Sequence, residues 1–150
     1  MDTRIKGSCL CGAVQYSIEA EPAMVGDCYC LDCRKSSGTA HCTHVAVVAS
    51  AYNVSGGVSF YERAADSGNM VRRGFCPTCG SPVHSTNQGM PGMVFVRAST
   101  LGDPEQISPQ MTVYARRAPR WARIDHDKPV FDGMATEVAA RVAGDGRGVE

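Results

Sequence analysis

The sequence predicts a mainly β protein built from short antiparallel strands and hairpins, with little helix. Three observations carry that expectation. Short apolar or alternating runs recur with turn signals at roughly 8–12-residue spacing, the pattern of small all-β domains. The 16 glycines and 8 prolines are scattered rather than clustered, so breakers punctuate the whole chain. The 8 cysteines fall into tight groups far apart in sequence, which suits a small fold stapled by metal.

At 150 residues the chain is expected to be a single domain, 1–150. It is 43% hydrophobic, yet no apolar run approaches the roughly 20 residues of a membrane helix. Lys plus Arg number 15 and Asp plus Glu 15. No net charge therefore draws the chain to nucleic acid or to an anionic membrane. The opening MDTRIKGSCL lacks the apolar core of a signal peptide, so a cytoplasmic protein is expected. There thiols stay reduced, and closely spaced cysteines are metal ligands more often than disulfides. Nothing in the sequence speaks to oligomeric state.

The elements follow in order. Residues 7–20 (GSCLCGAVQYSIEA) turn tightly around Cys9, Cys11 and Gly12, then alternate at Val14, Tyr16 and Ile18 as a half-buried strand. Glu21-Pro22 breaks it, and 23–27 is expected as a second antiparallel strand leading into Cys28. The polar stretch 34–38 is a loop or one short helical turn. Residues 44–49 (HVAVVA) are β-branched and apolar, a core strand. A hairpin joins 58–63 to 69–75 around Asp66-Ser67-Gly68, whose glycine tolerates positive φ. A further pair, 82–85 and 93–98, flanks the loop 87–92. Asp103-Pro104 breaks the chain before a last strand at 111–115 and a turn of helix at 119–121. The tail 134–150 has modest helical spacing and reads as a short helix or a frayed end.

Cys76-Pro-Thr-Cys79-Gly80 is a metal knuckle. Two residues between thiols let both sulfurs reach one ion across a tight turn, and Gly80 relieves the backbone beyond it. Cys9-Leu-Cys11-Gly12 is its shorter partner. Together they supply four thiolates for a tetrahedral, structural Zn²⁺. The competing readings are an iron–sulfur cluster or a redox CxxC pair, the latter normally set in a βαβ context that is missing here.

Cys28-Tyr-Cys30-Leu-Asp-Cys33-Arg34 leaves three thiols without an obvious fourth ligand. A zinc with three protein ligands keeps a position open for water or substrate. Arg34 and Lys35 follow at once, able to offset negative charge or to meet the carboxylates of an acidic thiol. The alternative is a second structural site closed by Cys42 or by His44 on the same strand face. His41 and His84 read as strand or loop residues, and His126 as part of a charged tail.

These residues resemble the glutathione-dependent formaldehyde-activating enzyme family, which also contains centromere protein V. The likeness rests on the segment from Gly7 to Tyr16, on Cys28 to Arg34, and on Phe75 to Ser81, with weaker matches at 101–104 and from Tyr114 to Trp121. It implies a β-tent zinc-binding fold. It also implies a structural zinc on Cys9, Cys11, Cys76 and Cys79, and a labile, catalytic zinc on Cys28, Cys30 and Cys33. The implied activity is that of a carbon–sulfur lyase, reversibly forming S-(hydroxymethyl)glutathione from glutathione and formaldehyde. Two other readings are carried beside it. One is a lyase acting on another thiol or a larger aldehyde, with loops 53–57 and 87–92 shaping its pocket. The other is a non-catalytic, zinc-stapled module that binds a protein partner.

Overall fold

The computed structural model describes residues 4–134. Ten strands run in chain order as β1 (Ile5–Ser8), β2 (Gln15–Ile18), β3 (Met24–Cys28), β4 (Cys42–Val48), β5 (Tyr52–Ser55), β6 (Ser59–Ala64), β7 (Met70–Phe75), β8 (Pro82–Asn87), β9 (Met93–Arg97) and β10 (Met111–Val113). One short α-helix, α1 (Leu31–Lys35), follows β3. The mainly β expectation is met. The tail beyond residue 134 lies outside the described residues, and among those described no helix is long and apolar enough to cross a membrane.

The strands form a three-stranded sheet in the order β1-β2-β5 and a seven-stranded sheet in the order β10-β3-β4-β9-β8-β7-β6. Every pairing is antiparallel except that of β10 with β3. The two hairpins expected from the turn signals are β6–β7 and β8–β9, and Gly68 takes φ +88° at the tip of the first. One pairing differs from the expectation. β2 and β3 are not partners: β2 joins β1 and β5, while β3 opens the larger sheet beside β4. The Glu21-Pro22 break transfers the chain from one sheet to the other instead of turning a hairpin.

The period of two along a strand then divides the large sheet into two faces. Val25, Val45, Val47, Val94 and Val96 point one way and pack with Ile5, Val14, Tyr16, Ile18 and Leu101, forming the main core between the sheets. Met24, Ala46 and Met93 point the other way and cluster with Met111. Cys28 and Cys42 continue that second face, side by side in register. Burial on both faces is why β4 reads as a continuous apolar run.

The small sheet is locked by close packing at Gly7. A Cβ there would collide with the Tyr16 phenol and the Thr100 carbonyl, while the Tyr16 hydroxyl lies 2.7 Å from Thr100 Oγ1. Substitution Gly7→Ala should therefore lower stability by about 1–3 kcal/mol, the usual range for overpacking, as read from the midpoint of urea unfolding.

His84 is buried in the same core, where its Nδ1 lies within hydrogen-bond distance of the Tyr52 hydroxyl, at 2.9 Å. Burial lowers its pKa from the ordinary 6.5. A histidine held neutral in the fold takes up its proton more readily when unfolded, so its contribution is complete above pH 6.5 and is lost as pH falls toward its lowered value. His84→Gln should flatten the pH dependence of stability below 6.5, measured by unfolding at stepped pH.

Candidate functional site

Four thiols meet where the sheets meet. Cys9 and Cys11 sit in the β1–β2 connection, Cys76 and Cys79 in the β7–β8 connection. All four sulfurs lie within 4.8 Å of one another, with Cys9–Cys11 at 3.6 Å and Cys11–Cys76 at 3.8 Å. A tetrahedron with Zn–S near ~2.3 Å has S–S edges of about 3.8 Å, so these side chains fit such an ion. Each turn closes as the knuckle reading requires. Gly12 and Gly80 take φ +82° and +79°, and the Gly80 N–H donates to the Cys76 carbonyl at 2.8 Å. The surroundings favour thiolate at two of the four positions and the thiol at Cys11, which is raised to about 11 beside Cys9. The Ser81 hydroxyl, 3.2 Å from Cys79, brings that thiol down to about 5. The Val14 N–H, 3.2 Å from Cys9 Sγ, lowers that one too.

A second cluster lies on the opposite face of the large sheet. Cys28 ends β3, Cys30 caps the first turn of α1, and Cys33 sits inside the helix, all within 4.8 Å. The Cys30 sulfur accepts from the Cys33 N–H at 3.3 Å, so this thiol nucleates the helix as an N-cap. Hydrogen bonds from the Cys28 and Cys33 thiols hold Cys30 down to about 2. Cys28, through Cys30, and Cys33, through Cys28, are pushed above the ordinary range. Three sulfurs within 4.8 Å of one another make a candidate cation site, and a metal entering it displaces their protons.

Cys42 and His44 form an overlapping group with Cys33, whose sulfur is 3.2 Å from His44 Nε2. Neither residue comes within 4.8 Å of all three sulfurs of the triplet, so the triplet is not closed into a four-ligand shell here. Cys42 has another partner. Protonated, it donates to the Cys33 carbonyl at 2.9 Å; ionised, it accepts from Arg97 Nη1 at 2.7 Å. A hydrogen bond from Cys33, with His44 and Arg97 nearby, brings its thiol down to about 4. Arg97 is only 4% exposed and also donates to the Ser36 carbonyl and hydroxyl at 3.1 and 2.9 Å. It ties the end of α1 to β9.

The triplet opens onto a cleft of about 200 Å³. Its walls are mostly apolar, with Met24, Ala46, Phe95, Met111 and Val113 among them. Loop 87–92 contributes Asn87, Gly89 and Met90, as expected of it, and the β6–β7 turn adds Asp66 and Ser67. Residues 53–57 do not line the cleft; Tyr52–Ser55 is an edge strand of the small sheet. Arg34 and Lys35 are exposed, and Lys35 lines a separate recess with His41 and Arg97. The cationic side chain in the cleft is instead Arg73, from β7. Tyr114 completes the wall. It is the one described non-glycine residue with positive φ, at +55°.

A sequence model of the family described as "Glutathione-dependent formaldehyde-activating enzyme" matches residues 4–117. The chain belongs to this family. Membership supports glutathione-dependent formaldehyde activation, with glutathione and formaldehyde as the family's substrates, and both cysteine clusters can hold a metal ion. A crystal structure of a Rhodobacter sphaeroides protein is similar, with 25% identity and a TM-score of 0.55, covering 69% of this chain and 91% of that one. No curated protein matches the chain.

Sequence reasoning placed the cysteines but missed Arg73, Arg97 and Tyr114. Arg97 carries a direct expectation. Arg97→Met removes three hydrogen bonds and should cost about 2 kcal/mol or more of stability, because the Ser36 carbonyl and Cys42 lose their donor. Urea unfolding of wild type and variant measures it.

Proposed function

We propose that this chain is a zinc-dependent carbon–sulfur lyase of the glutathione-dependent formaldehyde-activating type. In this reading Cys9, Cys11, Cys76 and Cys79 hold a structural zinc, and Cys28, Cys30 and Cys33 hold a labile one. The observation that carries it is the three-sulfur cluster at the wall of a cleft, in a chain of this family.

Zinc bound by the triplet would hold an incoming thiol as thiolate and polarise an aldehyde oxygen. The reaction itself is a simple addition. The glutathione sulfur bonds to the aldehyde carbon, the carbonyl π pair moves to oxygen, and that oxygen takes a proton equivalent to the one the thiol lost. Magnitude limits what ionisation alone supplies. A thiol of pKa ~8.5 is already a few per cent ionised at neutral pH, so full ionisation gains roughly 30-fold at most. The rest must come from orientation within the cleft. Tyr114 is our candidate proton donor. Burial and the neighbouring Cys28 and Cys30 raise its phenol, keeping it protonated at neutral pH. A cytoplasmic setting, where glutathione is abundant and reduced, fits this chemistry.

The decisive experiment is exchange of formaldehyde with glutathione followed by NMR, with zinc-loaded protein and without it. Exchange faster than the spontaneous reaction is expected, and Cys30→Ser should abolish the acceleration while leaving one zinc bound and the unfolding midpoint little changed. Acceleration that survives in this variant overturns the assignment of the triplet. No acceleration in wild type removes the activity and favours a zinc-stapled binding module.

A further inference from the structure

From the unpaired guanidinium in the cleft we infer that Arg73 is a specificity-determining residue that selects thiols bearing a carboxylate. The inference rests on the thiol-binding role proposed for the triplet. Several observations support it. Arg73 lines the cleft that contains all three sulfurs of the triplet. It is partly buried, and its Nε is fully buried with no hydrogen-bond partner. Orphaned buried donors are rare because each forfeits its hydration, and a donor of a charged group forfeits most.

The acids that could have neutralised it are otherwise engaged. Asp32 pairs with Arg63 at 3.7 Å and Asp66 with Arg117 at 3.7 Å. The adjacent Arg72, on the opposite face of β7, is satisfied by Glu62 at 3.3 Å and by the Phe60 ring at 3.6 Å. Arg73 borders the neighbouring recess as well, but only the first cleft holds the triplet sulfurs. Cross-strand register places Arg73 on the side of the large sheet that also carries Cys28, in a row that meets β3 at Met24, four residues before Cys28. Arg73 faces Ser85, Ser85 faces Phe95, Phe95 faces Ala46 and Ala46 faces Met24, one row on one side of the sheet. Sulfur at the triplet, an aliphatic body along Phe95 and Ala46 and a carboxylate at Arg73, with the Ser85 hydroxyl beside it, is the ligand this cleft lining describes. A guanidinium matches a carboxylate by two parallel hydrogen bonds, an arrangement lysine cannot reproduce. Formaldehyde alone would use none of it.

The test reads binding rather than turnover. The Arg73 Nε–H signal of ¹⁵N-labelled, zinc-loaded protein is followed while glutathione, 3-mercaptopropionate, its uncharged amide and thiol-free butanoate are added in turn. Both acidic thiols should shift that signal and the amide should not. Arg73→Gln should weaken acidic-thiol affinity about 10-fold or more and leave amide affinity unchanged. Arg73→Lys should recover only part of the loss, and Lys6→Gln, which removes an exposed charge on β1, should cause no loss. Equal losses for acid and amide, or no shift with any carboxylate, would overturn the inference. A shift with butanoate in a protein that does not accelerate formaldehyde exchange would leave the inference standing and the lyase reading fallen.

Discussion

The two sheets share one apolar face, and the four sulfurs of Cys9, Cys11, Cys76 and Cys79 are a polar cluster at their junction. Valines and isoleucines can slide over one another at little cost, whereas four thiols converging within 4.8 Å fix where each turn must be. With a zinc ion bound, such a site contributes on the order of 10 kcal/mol to folding, comparable to the whole net stability of a domain. The consequence reaches the far side of the large sheet. Once β7 and β8 are pinned through Cys76 and Cys79, the register of β8 with β9, and of β9 with β4, decides which side chains face the cleft.

That decision is made by parity. Along β4, Val45 and Val47 enter the main core, so Cys42, His44 and Ala46 must face the other way. The same alternation on β9 sends Val94 and Val96 inward and Phe95 and Arg97 outward. A one-residue slip would bury Arg97 among valines and expose the valines on the cleft. The chemistry of the site thus stands on the reverse side of the core. It is held by the pressure to keep valines packed, and Arg97 then anchors α1 against it.

How much of this was legible in the sequence follows from the same physics. The cysteine groups were, because metal chemistry demands short, stereotyped spacings. The hairpins at Asp66-Ser67-Gly68 and around loop 87–92 were, because turns carry local signals. β1 and β5 were not: IKGS and YNVS are four-residue strands whose pairing is decided by distant partners rather than by their own pattern. α1 was legible only in part: 34–38 read as a loop or one short helical turn, and its start at Leu31 was hidden because its cap is a cysteine, a residue that otherwise reads as a ligand. Arg34 and Lys35 looked suited to the site by adjacency, but on a five-residue helix neighbouring side chains point to different sides, and theirs point to solvent. Arg72 and Arg73 are indistinguishable in sequence. Only strand parity tells which meets Glu62 and which meets the cleft.

The parallel pairing of β10 with β3 carries a consequence for the order of assembly. β10 lies beside β3, yet more than half of the chain separates them in sequence. Bringing such distant segments together is the slow part of building a fold. During synthesis the three thiols of the triplet leave the ribosome well before Met111 and Val113, which wall their cleft. The reactive groups therefore exist before their enclosure does, and the nascent chain presents bare thiols until β10 docks.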